Sequence, residues 1–175
     1  MPNLKDLPVG EKAPEEVNVI IEIPKGTHTK IEYDPVLEVF RLDRVLYSAV
    51  HYPTAYGFIP HTLWEDGDPL DVLVLNEEPL QTGLLLHARP VGVLVMKDEK
   101  GSDSKILAVP SLDPRYNHVF DITDVAKHFL REAEHFFETY KELEGKFVKS
   151  FGWEPARSAK EAITKGVEAY ESTHQ

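Results

Sequence analysis

The sequence predicts an α+β fold: a small antiparallel, OB-like β-barrel with two main α-helices packed on its outside. Three observations point there. Short apolar runs of strand character succeed one another from Val17 to Val109, and from Asp121 onward the apolar spacing changes to three and four residues. The 175 residues, 42% of them hydrophobic, suffice for one core and give no reason to divide the chain, so residues 1–175 read as a single domain with an irregular arm at 1–16.

That arm is polar and broken by Pro2, Pro8, Gly10 and Pro14, and it is expected to carry no chemistry. Val17 to Ile23 is apolar except at Asn18 and Glu22, which suits a strand covered on both faces and leaves Glu22 in need of a partner. After the turn Pro24 to Thr29, alternation over Lys30-Ile31-Glu32-Tyr33-Asp34 places Lys30, Glu32 and Asp34 on one face. Val36 to Leu46 is a further strand pattern with Leu42 and Arg44 sharing a face. Tyr47 to Pro60 reads as a loop holding Tyr52 and Tyr56, which are either partial core or hydroxyl donors bordering a site.

Val72 to Leu75 is a buried strand, and Leu84 to Met96 forms a hairpin with Lys105 to Val109 across the polar turn Lys97 to Asp103. Val125, Phe129, Ala133, Phe136, Phe137, Tyr140 and Leu143 then mark an amphipathic helix running from about Asp121 to Gly145. On periodicity alone Tyr140 is a packed aromatic and Lys141 a solvated neighbour. A second helix is opened either by Pro155 or by the capping-box pattern Ser158 to Glu161, with Ala159, Ala162, Ile163, Val167 and Tyr170 inward.

The net charge of -11 argues against general binding to nucleic acid or anionic membranes, because the phosphate field is repelled. With no cysteine there are no disulfides, thiolate metal sites or cysteine nucleophiles. The first residues lack an apolar leader pattern, and no stretch approaches the roughly 20 apolar residues of a membrane span, so a soluble cytoplasmic protein is expected.

The densest chemistry lies in Asp66-Gly67-Asp68-Pro69-Leu70-Asp71, where three carboxylates fall within six residues just before a buried strand. Such hard oxygen donors suit magnesium, manganese or calcium, although an acidic turn can also simply be solvated. An EF-hand is excluded, since Asp71 stands in place of the required glycine and the flanks are strand-like. Glu22, Lys30, Glu32, Arg44, Tyr52, Tyr56, Asp98, Glu99, Asp103 and Lys105 are the other polar residues that strand faces and turns can bring to one barrel mouth. Carboxylates outnumber cations in that set, a conflict that divalent metals resolve, and a site of this kind suits a phosphate ester or anhydride. Phosphate-loop, dinucleotide, zinc-protease and serine-elbow motifs are absent, and the eight histidines lack ligand spacing.

Taken in order, Lys30-Ile31-Glu32-Tyr33, the loop Tyr52 to Ile59, the acidic run Asp66 to Asp71, the hairpin Asp98 to Lys105 and the segment His135 to Lys141 resemble the soluble inorganic pyrophosphatases of bacterial type, family I. The resemblance implies metal-dependent hydrolysis of pyrophosphate to two phosphates by direct attack of a metal-activated water. It makes Asp66, Asp71 and Asp103 ligands of the catalytic metals, with Asp98 and Asp103 holding a further one and Glu32 and Glu22 in the outer part of the site. Asp68 is implied as the general base. Lys30, Arg44, Tyr56, Lys105, Tyr140 and Lys141 are implied as phosphate ligands, with Tyr52 and Glu99 in support. Several magnesium ions per site, replaceable by manganese or zinc, and a homohexamer follow from the same likeness. Lys25, Asn117 and Phe147 to Ser150 depart from the family pattern, the last standing where a tryptophan-containing strand is expected.

Overall fold

The computed structural model describes residues 3–175. Its strands are β1 (Val17–Ile23), β2 (Thr29–Asp34), β3 (Val39–Val45), β4 (Ala55–Phe58), β5 (Asp71–Val74), β6 (Leu85–Asp98), β7 (Gly101–Ser102), β8 (Lys105–Pro110) and β9 (Lys149–Pro155), with helices α1 (Lys127–Thr139) and α2 (Ala156–Thr173). The main sheet runs β1-β4-β5-β8-β6, and β6 pairs back with β1, which closes the sheet into a ring. The OB-like barrel predicted from the sequence is therefore present. It is not wholly antiparallel, because β5 and β8 run parallel with Asp71 opposite Lys105. The long strand β6 also carries β9 along the edge it does not share with β8, and β2 and β3 form a separate hairpin.

Alternation along the ring strands builds two cores. Val17, Val19, Ile21, Ala55, Val72, Val74, Ala88, Val93, Ile106 and Ala108 form one cluster, to which every ring strand contributes and into which α2 sends Ala159 and Ile163. Leu73, Val91, Leu94, Met96, Leu107 and Val109 face the other way and pack against Phe136, Phe137 and Tyr140 at the C-terminal end of α1. At Gly57 a Cβ atom would lie 1.9 Å from the Ile20 carbonyl oxygen, so only glycine lets β4 approach β1 this closely.

Several boundaries differ from the sequence reading, among them the start of β3, where Val36 to Glu38 form a turn before Val39. Ala55–Phe58, placed in a loop, is strand β4, because its backbone completes the ring between β1 and β5. The first helix starts later than Asp121. Asp121 and Asp124 close a capping box around a 3-10 turn at Ile122–Asp124, and Val125 is extended before α1 begins. It also ends sooner, at Thr139. A second 3-10 turn, Glu142–Glu144, leaves Leu143 exposed and stops at Gly145, whose φ of 74° is the left-handed conformation that glycine adopts freely. Finally, the segment 147–150, read as a departure from a tryptophan-containing strand, leads into that strand: β9 starts at Lys149 and includes Trp153, whose indole N–H donates to the Leu130 carbonyl at 2.9 Å.

The helix α2 begins at Ala156, after Pro155, and the Ser158 to Glu161 pattern lies inside it. The cap comes from across the fold, since the Ala156 N–H donates to Asp121 Oδ1 at 3.0 Å.

Candidate active site

One cleft of about 210 Å³ opens between the β2–β3 hairpin, the acidic loop, the β6–β8 turn and the end of α1. Of the residues singled out from the sequence, Glu22, Lys30, Glu32, Tyr56, Asp66, Asp68, Asp71, Asp98, Asp103, Lys105, Tyr140 and Lys141 line it. Arg44, Tyr52 and Glu99 do not. Tyr52 is buried behind the wall, with its ring 4.8 Å from that of Phe136 and 5.8 Å from that of Tyr56, and Glu99 is exposed on the turn.

At the base of the cleft Lys105 is almost fully buried and donates from Nζ to Asp71 Oδ2 and to Asp103 Oδ1, each at 3.1 Å. Its ammonium also lies 5.1 Å from the centre of the Phe137 ring. Burial works against that charge, but the Asp71 and Asp103 carboxylates prevail and hold the Lys105 pKa well above its ordinary value. Asp71 is nonetheless pushed up, because burial outweighs the help it receives from Lys105 and from the Tyr56 hydroxyl. Burial raises Asp66 as well, with Asp71 and Asp68 adding repulsion.

Glu22, the strand residue that needed a partner, accepts the Tyr33 backbone N–H at 2.9 Å. That one bond does not offset burial, which lifts its pKa to about 8. Tyr56 and Tyr140 are pushed well up by burial too and stay protonated hydroxyl donors, while burial draws Lys141 down. The fate of Tyr140 and Lys141 thus departs from the bare periodicity: Tyr140 is packed, as the stripe required, yet it and Lys141 both reach the cleft.

On the opposite wall Lys30 is ion-paired to Glu32, and its Nζ lies 3.2 Å from Asp43 Oδ2. Arg44, opposite Lys30 in the hairpin register, is ion-paired with Asp43 at 2.6 Å and with the largely buried Glu144 at 2.8 Å. Asp43 and Glu144 were not anticipated. For Asp43 the neighbouring arginine was the available signal, whereas Glu144 reaches Arg44 from a turn that follows α1. Lys100 and Lys5 also line the cleft unforeseen, Lys5 from the N-terminal arm, where its Nζ lies 3.3 Å from Asp68 Oδ1.

The lining holds seven carboxylates and five lysines. Among the described residues no three acidic or histidine side chains are drawn together at metal-ligand spacing, since Asp71 and Asp103 turn toward Lys105 instead. The donor set still fits a divalent cation. Asp66, Asp71, Asp98 and Asp103 are hard oxygen donors lining one cleft, and burial raises Asp66, Asp71 and Glu22, a desolvation cost that a bound cation would offset.

The two loops are also clamped together. Glu65 Oε2 accepts the Ser102 N–H at 3.3 Å, and the Trp64 indole donates to the Ser102 hydroxyl at 3.3 Å.

A family profile described as inorganic pyrophosphatase matches residues 19–171. The inorganic pyrophosphatase of Thermus thermophilus is 51% identical over 173 residues, covering 97% of this chain and 99% of that protein. That of Saccharolobus solfataricus is 49% identical over 162 residues, covering 91% and 94%. The crystal structure of inorganic pyrophosphatase from Thermus thermophilus superposes with a TM-score of 0.94 at 50% identity, covering 97% of this chain and 99% of that one. Ring, cleft and near-complete coverage agree, and the chain belongs to the inorganic pyrophosphatase family.

Proposed function

We propose that the cleft hydrolyses inorganic pyrophosphate to two phosphates with the help of divalent metal, magnesium by preference. The observation that carries this reading is the buried Lys105 shared by Asp71 and Asp103 beneath a wall of further carboxylates and lysines, a charge pattern suited to metal ions and a compact polyanion together.

Asp66, Asp71 and Asp103 are the residues assigned to the catalytic metals, Asp98 with Asp103 to a further one, and Glu22 and Glu32 to the surrounding solvent shell. Bound there, magnesium supplies Lewis-acid activation of water and neutralisation of phosphate charge. The chain's own residues do the rest. Lys30, Lys105 and Lys141 face the phosphates as cations, and Arg44 is assigned to the same phosphates through its place opposite Lys30. Tyr56 and Tyr140, kept protonated by burial, donate hydroxyl hydrogen bonds to phosphate oxygens. Asp68, the most exposed carboxylate of the acidic loop's site-facing trio, accepts the proton of the attacking water as its oxygen bonds to one phosphorus and the bridging P–O bond breaks. Tyr52 and Glu99 act indirectly, one by packing Tyr56 and the other by its charge on the turn.

The same reading carries a homohexamer in the cytoplasm; light scattering that gives only the 19.9 kDa monomer overturns the hexamer.

The test is phosphate release from pyrophosphate with magnesium, with magnesium plus excess chelator, and with a phosphomonoester as substrate. Chelator-sensitive release from pyrophosphate alone is expected, and release from the monoester at a similar rate overturns the substrate assignment. Asp68→Asn is expected to lower kcat by about 100-fold or more with metal affinity preserved, whereas Asp71→Asn weakens both. Equal, small effects of the two overturn these roles.

A further inference from the structure

We propose that Lys5, on the N-terminal arm, is a positioning residue for hydrolysis: its ammonium holds one oxygen of the Asp68 carboxylate and leaves the other free to receive the proton of the attacking water. The proposal rests on the reading of Asp68 as general base.

Asp68 has little else to orient it. Its side chain is 65% exposed, and its backbone N–H is taken by Asp66 Oδ1 at 3.0 Å. Among the described residues the one hydrogen bond to its carboxylate is that from Lys5 Nζ to Oδ1, at 3.3 Å, so Oδ2 has no partner. A carboxylate on an exposed loop that is free to rotate makes a poor proton acceptor, because the reacting geometry must be found anew at each turnover.

The arm that delivers Lys5 is fixed. Lys5 lies in a 3-10 turn capped by Asn3, whose side-chain oxygen accepts the Lys5 N–H at 3.0 Å. The Lys5 carbonyl accepts the His61 N–H at 2.8 Å, and the Leu4 N–H donates to the Tyr33 hydroxyl at 3.2 Å. Next along the turn, Asp6 Oδ1 accepts the Tyr170 hydroxyl at 2.6 Å. Leu4 itself packs on the small apolar cluster that contains Tyr33. These contacts join the arm to the β2 strand, to the segment before the acidic loop and to α2. A solvent-exposed ion pair contributes little to stability, so an anchorage of this extent is out of proportion to a merely structural pairing.

The experiment is a double-mutant cycle on the full chain, with steady-state pyrophosphate hydrolysis at saturating magnesium measured for the parent, Lys5→Gln, Lys5→Arg, Asp68→Asn and the Lys5→Gln/Asp68→Asn pair. Lys5→Gln is expected to lower kcat by about 10-fold with KM nearly unchanged, Lys5→Arg to restore most of the rate, and Lys5→Gln to cost nothing further once Asp68 is Asn. The unfolding midpoint of Lys5→Gln is expected to match the parent's. A rise in KM at full kcat, or the same fold-loss in the Asp68→Asn background, overturns the proposal, because Lys5 then acts without Asp68. Full kcat in Lys5→Gln alongside slow Asp68→Asn overturns the Lys5 role alone. Parent-like turnover in Asp68→Asn instead overturns the reading of Asp68, and the role of Lys5 with it.

Discussion

Strands β5 and β8 lie side by side in one parallel ladder, yet their two faces meet different surroundings. On the face turned to the barrel interior, Val72, Val74, Ile106 and Ala108 are completely buried among apolar neighbours that include Ile163 of α2. On the other face Leu73 and Leu107 pack against the end of α1, but the first residue of each strand is charged: Asp71 opposite Lys105. The backbone bonding is the same throughout. What differs is desolvation, which favours the interior face by roughly 25 cal/mol per Å² of buried apolar surface and penalises the charged ends, where Asp71 stays raised even with Lys105 beside it. Period-2 alternation thus lets four-residue β5 supply stability from one face and chemistry from the other.

This contrast can be broken at either face. The largest effect is expected from Lys105→Ala, which leaves Asp71 and Asp103 buried without their shared cation. In chelator the protein is expected to lose about 3–5 kcal/mol in a urea titration, to regain part of it on adding magnesium, and to hydrolyse pyrophosphate poorly. An unchanged urea midpoint would show that the charged face bears no such cost.

Next comes Ile163→Ala on the apolar face, where a cavity beneath α2 is expected to cost about 3 kcal/mol while kcat of the folded enzyme stays at the parent value. A loss of kcat without a loss of stability there would mean that the two faces are not separable.

The smallest effect per step of the experiment, and the one that sharpens the comparison most, is a pH slope at Glu22. Its pKa in the folded chain is about 8 against 4.5 for the ordinary side chain, so the folded state holds the proton more tightly. The stabilisation is complete below pH 4.5 and is lost as pH rises through 8. Metal-free protein is expected to lose up to about 1.4 kcal/mol per pH unit across this window, and Glu22→Gln to flatten the slope. A parent profile already flat from pH 5 to pH 8 would show that the Tyr33 N–H suffices to keep the carboxylate ionised.

Much of this was legible in the chain itself. Near-continuous apolar runs mark β1, β5, β6 and β8, period-two alternation marks β2, and three- and four-residue spacing marks the two helices, because burial of a strand or of a helix stripe is a local pattern. The acidic run and its companions were legible for the opposite reason: charged residues beside buried strands are costly, so their presence signals a site. Tertiary contacts decided the rest. Four residues at Ala55–Phe58 are a strand only because β1 and β5 flank them. Of the two starts the sequence allowed for α2, the one after Pro155 is taken, and the Ala156 N–H there is capped by Asp121 from 35 positions away. Lys5 meets Asp68 across 63 positions, and Glu144 reaches Arg44 from beyond α1, pairings that no spacing along the chain encodes. Periodicity reports which residues must leave water, whereas which charge finds which partner depends on how the ring closes, and that is determined by distances in space.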